Sequence, residues 1–300
     1  MNLHGPVIGV DVGGTETKAV LVDASGAVLA QRRGTTPPPS LDTVEQVLDL
    51  ACSLVTELSS RVAPTAVGLV VPGIVDESRG VAVFSANLGW SDVPFASLLG
   101  ARLGMPVAFG HDVRAGALAE QQLGAARDAD DAVFLPVGTG ISAAYVQAGR
   151  LHAGGGYAGE IGQVPVGGAR LETVASAAAI SRSYQERTGI PVAGSADVAQ
   201  RVAAGDPVAT AVWDEAVDAL GSALIWITAL LAPEVVVVGG GLSQAGPMLF
   251  DPLTRRLDAD WNLARAPRIV PAALGDRAGS LGAALLAAEL VNHNHGEEGE

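Results

Sequence analysis

One pattern occurs twice in the chain and limits its fold more than any other feature: a β-rich run, a glycine turn, and a second β-rich run. It is written first as Pro6 to Asp11, Gly13-Gly14 and Lys18 to Asp23, and again as Ala132 to Val137, Gly138-Thr139-Gly140 and Ser142 to Gln147. Glycine reaches positive φ without steric cost, so each occurrence reads as two strands closed by a tight turn. In the first half a third strand, Val28 to Arg32, follows the Ser25-Gly26 turn and precedes the loop Pro37-Pro38-Pro39. Ser40 then caps a predicted helix to about Arg61, with Leu41, Val44, Val47, Leu48, Ala51 and Leu54 at helical spacing. Ala66 to Val71 is an uninterrupted apolar run and predicts a buried strand. In the second half, helices are predicted over roughly Leu171 to Thr188 and Pro207 to Ala232, before an apolar strand, Val235 to Val238, that runs into Gly239-Gly240-Gly241. Two halves on one plan predict two α/β domains facing each other across a cleft, the usual place for a small ligand. The expected division is 1–112, completed by a C-terminal helix over 279–291, and 113–278, with the acidic tail 292–300 expected to be disordered.

Composition narrows the partners. With 49% hydrophobic and 17% charged residues, the chain can bury a sizeable core. Its formal charge of -14, with Lys18 the only lysine, repels nucleic acid and anionic lipid. Cys52 is the only cysteine, which excludes an internal disulfide framework and zinc sites built on paired thiolates. The segment Met1 to Asp11 lacks the basic and apolar regions of a signal peptide, and the longest uncharged apolar stretch, between Asp218 and Glu234, is shorter than the roughly 20 residues of a membrane span. A cytoplasmic protein is expected.

Several residues could carry chemistry. Asp11-Val12-Gly13-Gly14-Thr15 closes a buried strand, where bare backbone amides can approach an anion and a carboxylate can hold a hydrated cation; an ordinary hairpin turn is the alternative. Gly138-Thr139-Gly140 stands in the matching turn, and Gly239-Gly240-Gly241 could bring backbone against a flat nucleotide base. Gly110-His111-Asp112-Val113 follows a strand, Val107 to Phe109, and precedes an alanine-rich helix through Gly124. Asp112 there is either a helix N-cap or a base for a substrate hydroxyl. Glu160, Gln163 and Glu172, near glycines, suit directional hydrogen bonds to sugar hydroxyls.

At these residues the sequence resembles the ROK family of bacterial sugar kinases, within the actin-like ATPase (ribonuclease H-like) superfold. The resemblance runs almost the whole length, through Asp11 to Thr15, Val71-Pro72-Gly73, Asn87-Leu88-Gly89-Trp90, His111-Asp112, Gly138 to Gly140, Gly159-Glu160-Ile161-Gly162, Val238 to Ser243 and Ala273-Leu274-Gly275-Asp276. It implies two actin-like α/β domains and ATP-dependent phosphorylation of a hexose 6-hydroxyl, most often that of glucose. Fructose, mannose or an N-acetylated amino sugar are alternatives, as is a non-catalytic sugar-binding protein. By the resemblance Asp112 is the catalytic base, and Gly73, Asn87, His111, Glu160, Gln163 and Glu172 contact sugar. Asp11, Gly13, Gly14, Thr15, Lys18, Gly138, Thr139 and Gly140 lie on the phosphate side, and Gly239, Gly240, Gly241 and Leu242 on the adenosine side. ATP and Mg²⁺, the metal held mainly by ATP, are the implied cofactors, and a homodimer or higher homo-oligomer the implied assembly. Two departures stand out: His111 replaces the family's usual Asn, and Gln163 replaces a His that precedes a zinc-binding cysteine cluster. No structural zinc is therefore expected.

Overall fold

The computed structural model describes residues 5–263 and 265–297. The chain forms two compact units. The first runs through Ala119 and includes Ala153–Tyr157 and the chain from Asp276 onward; the second is Glu120–His152 with Ala158–Gly275. Compared with a boundary after residue 112, residues 113–119 and Ala153–Tyr157 thus group with the first unit.

In the first unit β1 (Val7–Val12), β2 (Glu16–Val22) and β3 (Val28–Thr35) form an antiparallel meander. The helix α1 (Thr43–Ser59) leads to β4 (Ala66–Val71), and a small sheet of β5 (Ile74–Asp76), β6 (Val81–Ser85) and β7 (Trp90–Val93) precedes α2 (Phe95–Leu103) and β8 (Val107–His111). The main sheet has the order β3-β2-β1-β4-β8, with β1, β4 and β8 parallel. β8 passes directly into α3 (Asp112–Leu123), which crosses into the second unit.

The second unit repeats the plan with β9 (Ala132–Pro136), β10 (Ala144–Gln147) and β11 (Arg150–Leu151), then a hairpin of β12 (Pro165–Val166) and β13 (Ala169–Arg170). After α4 (Leu171–Ala175), α5 (Ala177–Thr188), α6 (Ser195–Ala203) and α7 (Pro207–Leu231) come β14 (Val235–Gly239), α8 (Pro247–Asp260) and β15 (Arg268–Pro271). The sheet order is β11-β10-β9-β14-β15, so each unit reads 3-2-1-4-5 in its own strand count. Both strand pairs around the glycine turns are antiparallel, with the return strands parallel beside them.

The last helix, α9 (Ala278–Glu297), belongs to the first unit and packs on β1 and β4. The approach is close enough that a Cβ on Gly68 would lie 1.8 Å from the Ala283 carbonyl oxygen and one on Gly9 2.0 Å from that of Ser280. The opposite face of this sheet is covered by α1 through Val47, Leu48, Ala51, Leu54, Val55 and Leu58. In the second unit α7 is the core: Val212, Trp213, Ala216, Leu220, Leu224 and Ile227 pack against β9 and β14. Asp206 caps α7, accepting from the Val208 and Ala209 amides at 2.9 and 3.1 Å, and Pro207 occupies the first helical position where its missing N–H costs nothing.

Three local expectations need correction. Ser40 does not cap α1: its amide donates to the Thr43 hydroxyl, which donates back to the Ser40 carbonyl, and this local turn delays the helix to Thr43 and leaves Leu41 fully exposed. The helix expected over Leu171 to Thr188 is two helices, because Ser176 adopts extended backbone and its hydroxyl caps α5 at the Ala179 amide. The tail is helical through Glu297 as a continuation of α9; 298–300 lie outside the described residues.

Candidate active site

Each unit contributes a cluster at the ends of its parallel strands. In the first, the β1–β2 turn is closed by the Gly13 amide donating to the Glu16 carbonyl at 3.1 Å, so Gly14 and Thr15, both exposed, present the amides that remain. Asp11 stands one residue before the end of β1, paired in register with Lys18 on β2. The Lys18 ammonium donates to the Asp276 carbonyl oxygen at 3.2 Å and lies 3.8 Å from carboxylate oxygens of Glu16 and Asp276, while Arg33 reaches Asp276 at 2.8 Å. Burial pushes the Asp11 carboxyl up to about 7, and the charges of Asp112 and Asp276 act in the same direction against Lys18. Gly279, in the first turn of α9, makes room for this carboxylate: a Cβ there would lie 2.4 Å from Asp11 Oδ2.

Asp112 is the first residue of α3, at the end of β8. Its Oδ1 accepts from the Val113 amide at 2.7 Å, and the His111 Nε2 lies 3.4 Å from the same oxygen. His111 is 5% exposed, and burial holds its imidazole below the ordinary value. Behind it Arg114, also buried, donates from Nε to Glu77 Oε1 at 2.9 Å. Gly73, with φ of 104°, turns the chain between β4 and β5, where a Cβ would lie 2.2 Å from the Phe84 carbonyl oxygen. Asn87 is exposed in the turn between β6 and β7.

In the second unit the Gly138 amide donates to the Gly140 carbonyl at 2.9 Å, closing the matching turn, with Thr139 exposed at its tip. Glu172, in α4, accepts from the Ile141 amide through Oε2 at 3.0 Å and so braces this turn from behind. Glu160, which precedes a short 3-10 turn, Ile161–Gln163, and Gln163 at its end are exposed, and the segment is tied to the residue before β10 by the Ala143 amide donating to the Gly159 carbonyl at 2.8 Å. Gly240, at φ of 74°, lies so near Val137 that a Cβ would be 2.4 Å from its carbonyl oxygen. Beyond it Gly241 and Leu242 border a pocket of about 290 Å³ shared with Ser195, Ala199, Gln200 and Met248. That volume is near the lower end of small-ligand sites, roughly 300–1,000 Å³.

The residues expected on the phosphate side therefore divide between two separate turns, and those expected on sugar divide between Gly73, Asn87, His111 and Asp112 in one unit and Glu160, Gln163 and Glu172 in the other. Sequence reasoning quoted Asp276 only within the family resemblance, with no role assigned to it, and missed Glu120. Asp276 sits in the Gly275–Arg277 turn, and a carboxylate directly after a glycine and before the last helix was the available signal. Glu120 is 1% exposed and accepts from the amides of Ala125, Ala273 and Leu274, tying the end of α3 to the segment before Asp276. Nothing in an alanine-rich helix marks that role. Ser195 to Ala203, with the pocket it lines, was also not singled out.

The model of the ROK family matches residues 7–290. The chain is 33% identical to a glucokinase of Thermotoga maritima, over 95% of this chain and 98% of that one. It is 36% identical to a bifunctional enzyme NanE/NanK of Brucella suis, over 94% of this chain and 53% of that longer protein. Among solved structures it is similar to a ROK family glucokinase from Streptomyces griseus in complex with glucose and AMPPNP, at 28% identity and a TM-score of 0.83, covering 95% of this chain and all of that one.

Proposed function

The chain belongs to the ROK family, and on that footing we propose that it is an ATP-dependent hexose kinase that phosphorylates the 6-hydroxyl of glucose. The observation that carries the reading is Asp112: a carboxylate at the end of a parallel strand, with one oxygen fixed by Val113 and its other oxygen engaged in no hydrogen bond or ion pair among the described residues. Such a group can accept the hydroxyl proton while aligning the sugar oxygen for in-line attack on the γ-phosphoryl, and the rest of catalysis is positioning and charge.

The donor set suits Mg²⁺. Asp11 is a hard oxygen ligand whose carboxyl is pushed up chiefly by burial, with Asp112 and Asp276 adding to this against Lys18, and a bound cation would favour its ionised form. Among the described residues no group of three or more His, Cys, Asp or Glu side chains is arranged to hold a metal alone, which fits an ion brought by ATP and held through water by Asp11. When bound, it would screen the phosphate charges. Gly14 and Thr15 would offer amides to the phosphates, with Gly138 to Gly140 doing the same from the second unit. The pocket beside Gly241 and Leu242 would take the base, and Glu160, Gln163, Gly73 and Asn87 the sugar hydroxyls. Glu172 acts through the turn it braces.

The chain's net charge of -14 and single lysine disfavour a long polyphosphate as donor. One cysteine suits a reducing cytoplasm, and a homodimer is the assembly the reading includes. The test is ADP release with Mg-ATP across glucose, fructose, mannose and N-acetylated amino sugars. Turnover highest on glucose is expected; no turnover on any hexose would overturn the proposal.

A further inference from the structure

His111 was expected to touch sugar, yet its side chain is almost wholly enclosed and both ring nitrogens have neighbours within the fold. Nδ1 accepts the Arg114 amide at 3.4 Å, one of the first-turn N–H groups of α3 that lack a partner within the helix. A nitrogen that accepts cannot carry the proton, so the neutral ring is protonated on Nε2, and Nε2 faces Asp112 Oδ1 at 3.4 Å. The Val113 amide donates to this carboxylate oxygen, and His111 Nε2 lies beside the same oxygen at 3.4 Å. The other oxygen, Oδ2, keeps its basic lone pairs.

We propose that His111 is a positioning residue for the base: a neutral imidazole that caps α3 through Nδ1 and, through Nε2–H, turns Asp112 so that Oδ2 meets the substrate hydroxyl. The inference rests on the kinase reading and deepens it. Burial, not the balance of the facing charges, favours the neutral form. Burial is the largest influence, and the Arg114 guanidinium adds to it; Asp112 and Glu77 pull the other way. A neutral ring supplies a donor without adding a positive charge beside the base, and a positive charge there would weaken its basicity.

Two substitutions separate the two nitrogens. Asn places its polar atoms where Nδ1 stands, so His111→Asn keeps the cap and loses the donor to Asp112. Gln reaches as far as Nε2, so His111→Gln keeps a donor there and loses the cap. Displacing a reacting group by about 1 Å can cost on the order of 10²-fold in rate. The expected result for His111→Asn is thus a kcat lower by roughly 10- to 100-fold with KM for glucose and Tm near wild type. His111→Gln should turn over faster than His111→Asn while melting at a lower temperature. In the ¹⁵N-histidine-labelled protein, the signal lost on substitution should be that of a neutral, Nε2-protonated ring from pH 6 to 8.

The opposite pattern would overturn the role. A His111→Asn enzyme with unchanged kcat but an altered KM or altered preference among sugar epimers would make His111 a sugar contact, as would a ring protonated on Nδ1. Asp112→Asn, assayed alongside, keeps this failure distinct from that of the kinase reading. If Asp112→Asn is inactive and His111→Asn fully active, only the positioning role falls; if Asp112→Asn is active, the base assignment falls with it.

Discussion

Replacing Asp11 with Asn should make the protein more stable while impairing its activity. The folded chain holds the Asp11 carboxyl at about 7 against an ordinary value of 3.8, chiefly because burial disfavours the anion. The folded state therefore binds this proton more tightly than the unfolded state. The favourable contribution is complete at pH values below the unfolded pKa and is lost as pH rises toward 7, above which the ionised carboxylate imposes its full cost on folding. A shift of about three units at 1.36 kcal/mol each gives a cost of about 4 kcal/mol, an upper bound because water and Lys18 relax toward the anion. Asn is nearly isosteric and never ionises, so it escapes that cost. Urea unfolding followed by tryptophan fluorescence should show Asp11→Asn gaining on the wild type by up to about 2 kcal/mol between pH 5.5 and 8.5. Mg-ATP should narrow the gap by stabilising the wild type more. Parallel stability curves for the two proteins over this range would refute the reasoning, since they would mean that Asp11 is ionised without penalty.

Three further outcomes follow from other contacts. Gly279→Ala would put a methyl group where Asp11 Oδ2 lies 2.4 Å away, and steady-state kinetics should show kcat down on the order of tenfold or more with KM for glucose little changed. Ala199→Phe would fill the pocket beside Leu242, so KM for ATP should rise several-fold while KM for glucose stays put; an unchanged KM for ATP would place the base elsewhere. Metal analysis of protein purified without a metal-affinity tag should find less than stoichiometric zinc, and chelation should leave Tm unchanged, because removing a structural metal normally unfolds what it organises.

Much of this architecture is written in short-range patterns. The paired glycine turns, the apolar run of β4 and the strand before Gly239 are local signals, and both 3-2-1-4-5 sheets are assembled around them. What escaped was decided by contacts distant in sequence or by competition between neighbouring polar groups. The break at Ser176 turns on one hydroxyl choosing to cap, and Leu41 lost its place in α1 to the Ser40–Thr43 turn. At the site, Asp11, Gly14, Asp112 and Gly140 stood out as candidates because each lies at a strand end, where a hairpin turn or a helix cap was the competing use. Asp276 was quoted only within the family resemblance, since its pairing with Lys18 and Arg33 joins residues more than two hundred positions apart. His111 was legible as unusual, but its role depends on which nitrogen faces Asp112, a matter of geometry alone.

The most direct test of the kinase reading is the turnover of Asp112→Asn. Asn keeps the size of the side chain and can still accept the Val113 amide, so the start of α3 and glucose binding should survive. What it lacks is the basic carboxylate oxygen. A positioned base is worth roughly 10²–10⁴ in rate, so kcat should fall by at least about a hundredfold while glucose still raises Tm as it does in the wild type. An Asp112→Asn enzyme that keeps more than about a tenth of the wild-type kcat, well above what loss of a base allows, would make Asp112 a helix-end residue only and contradict the mechanism.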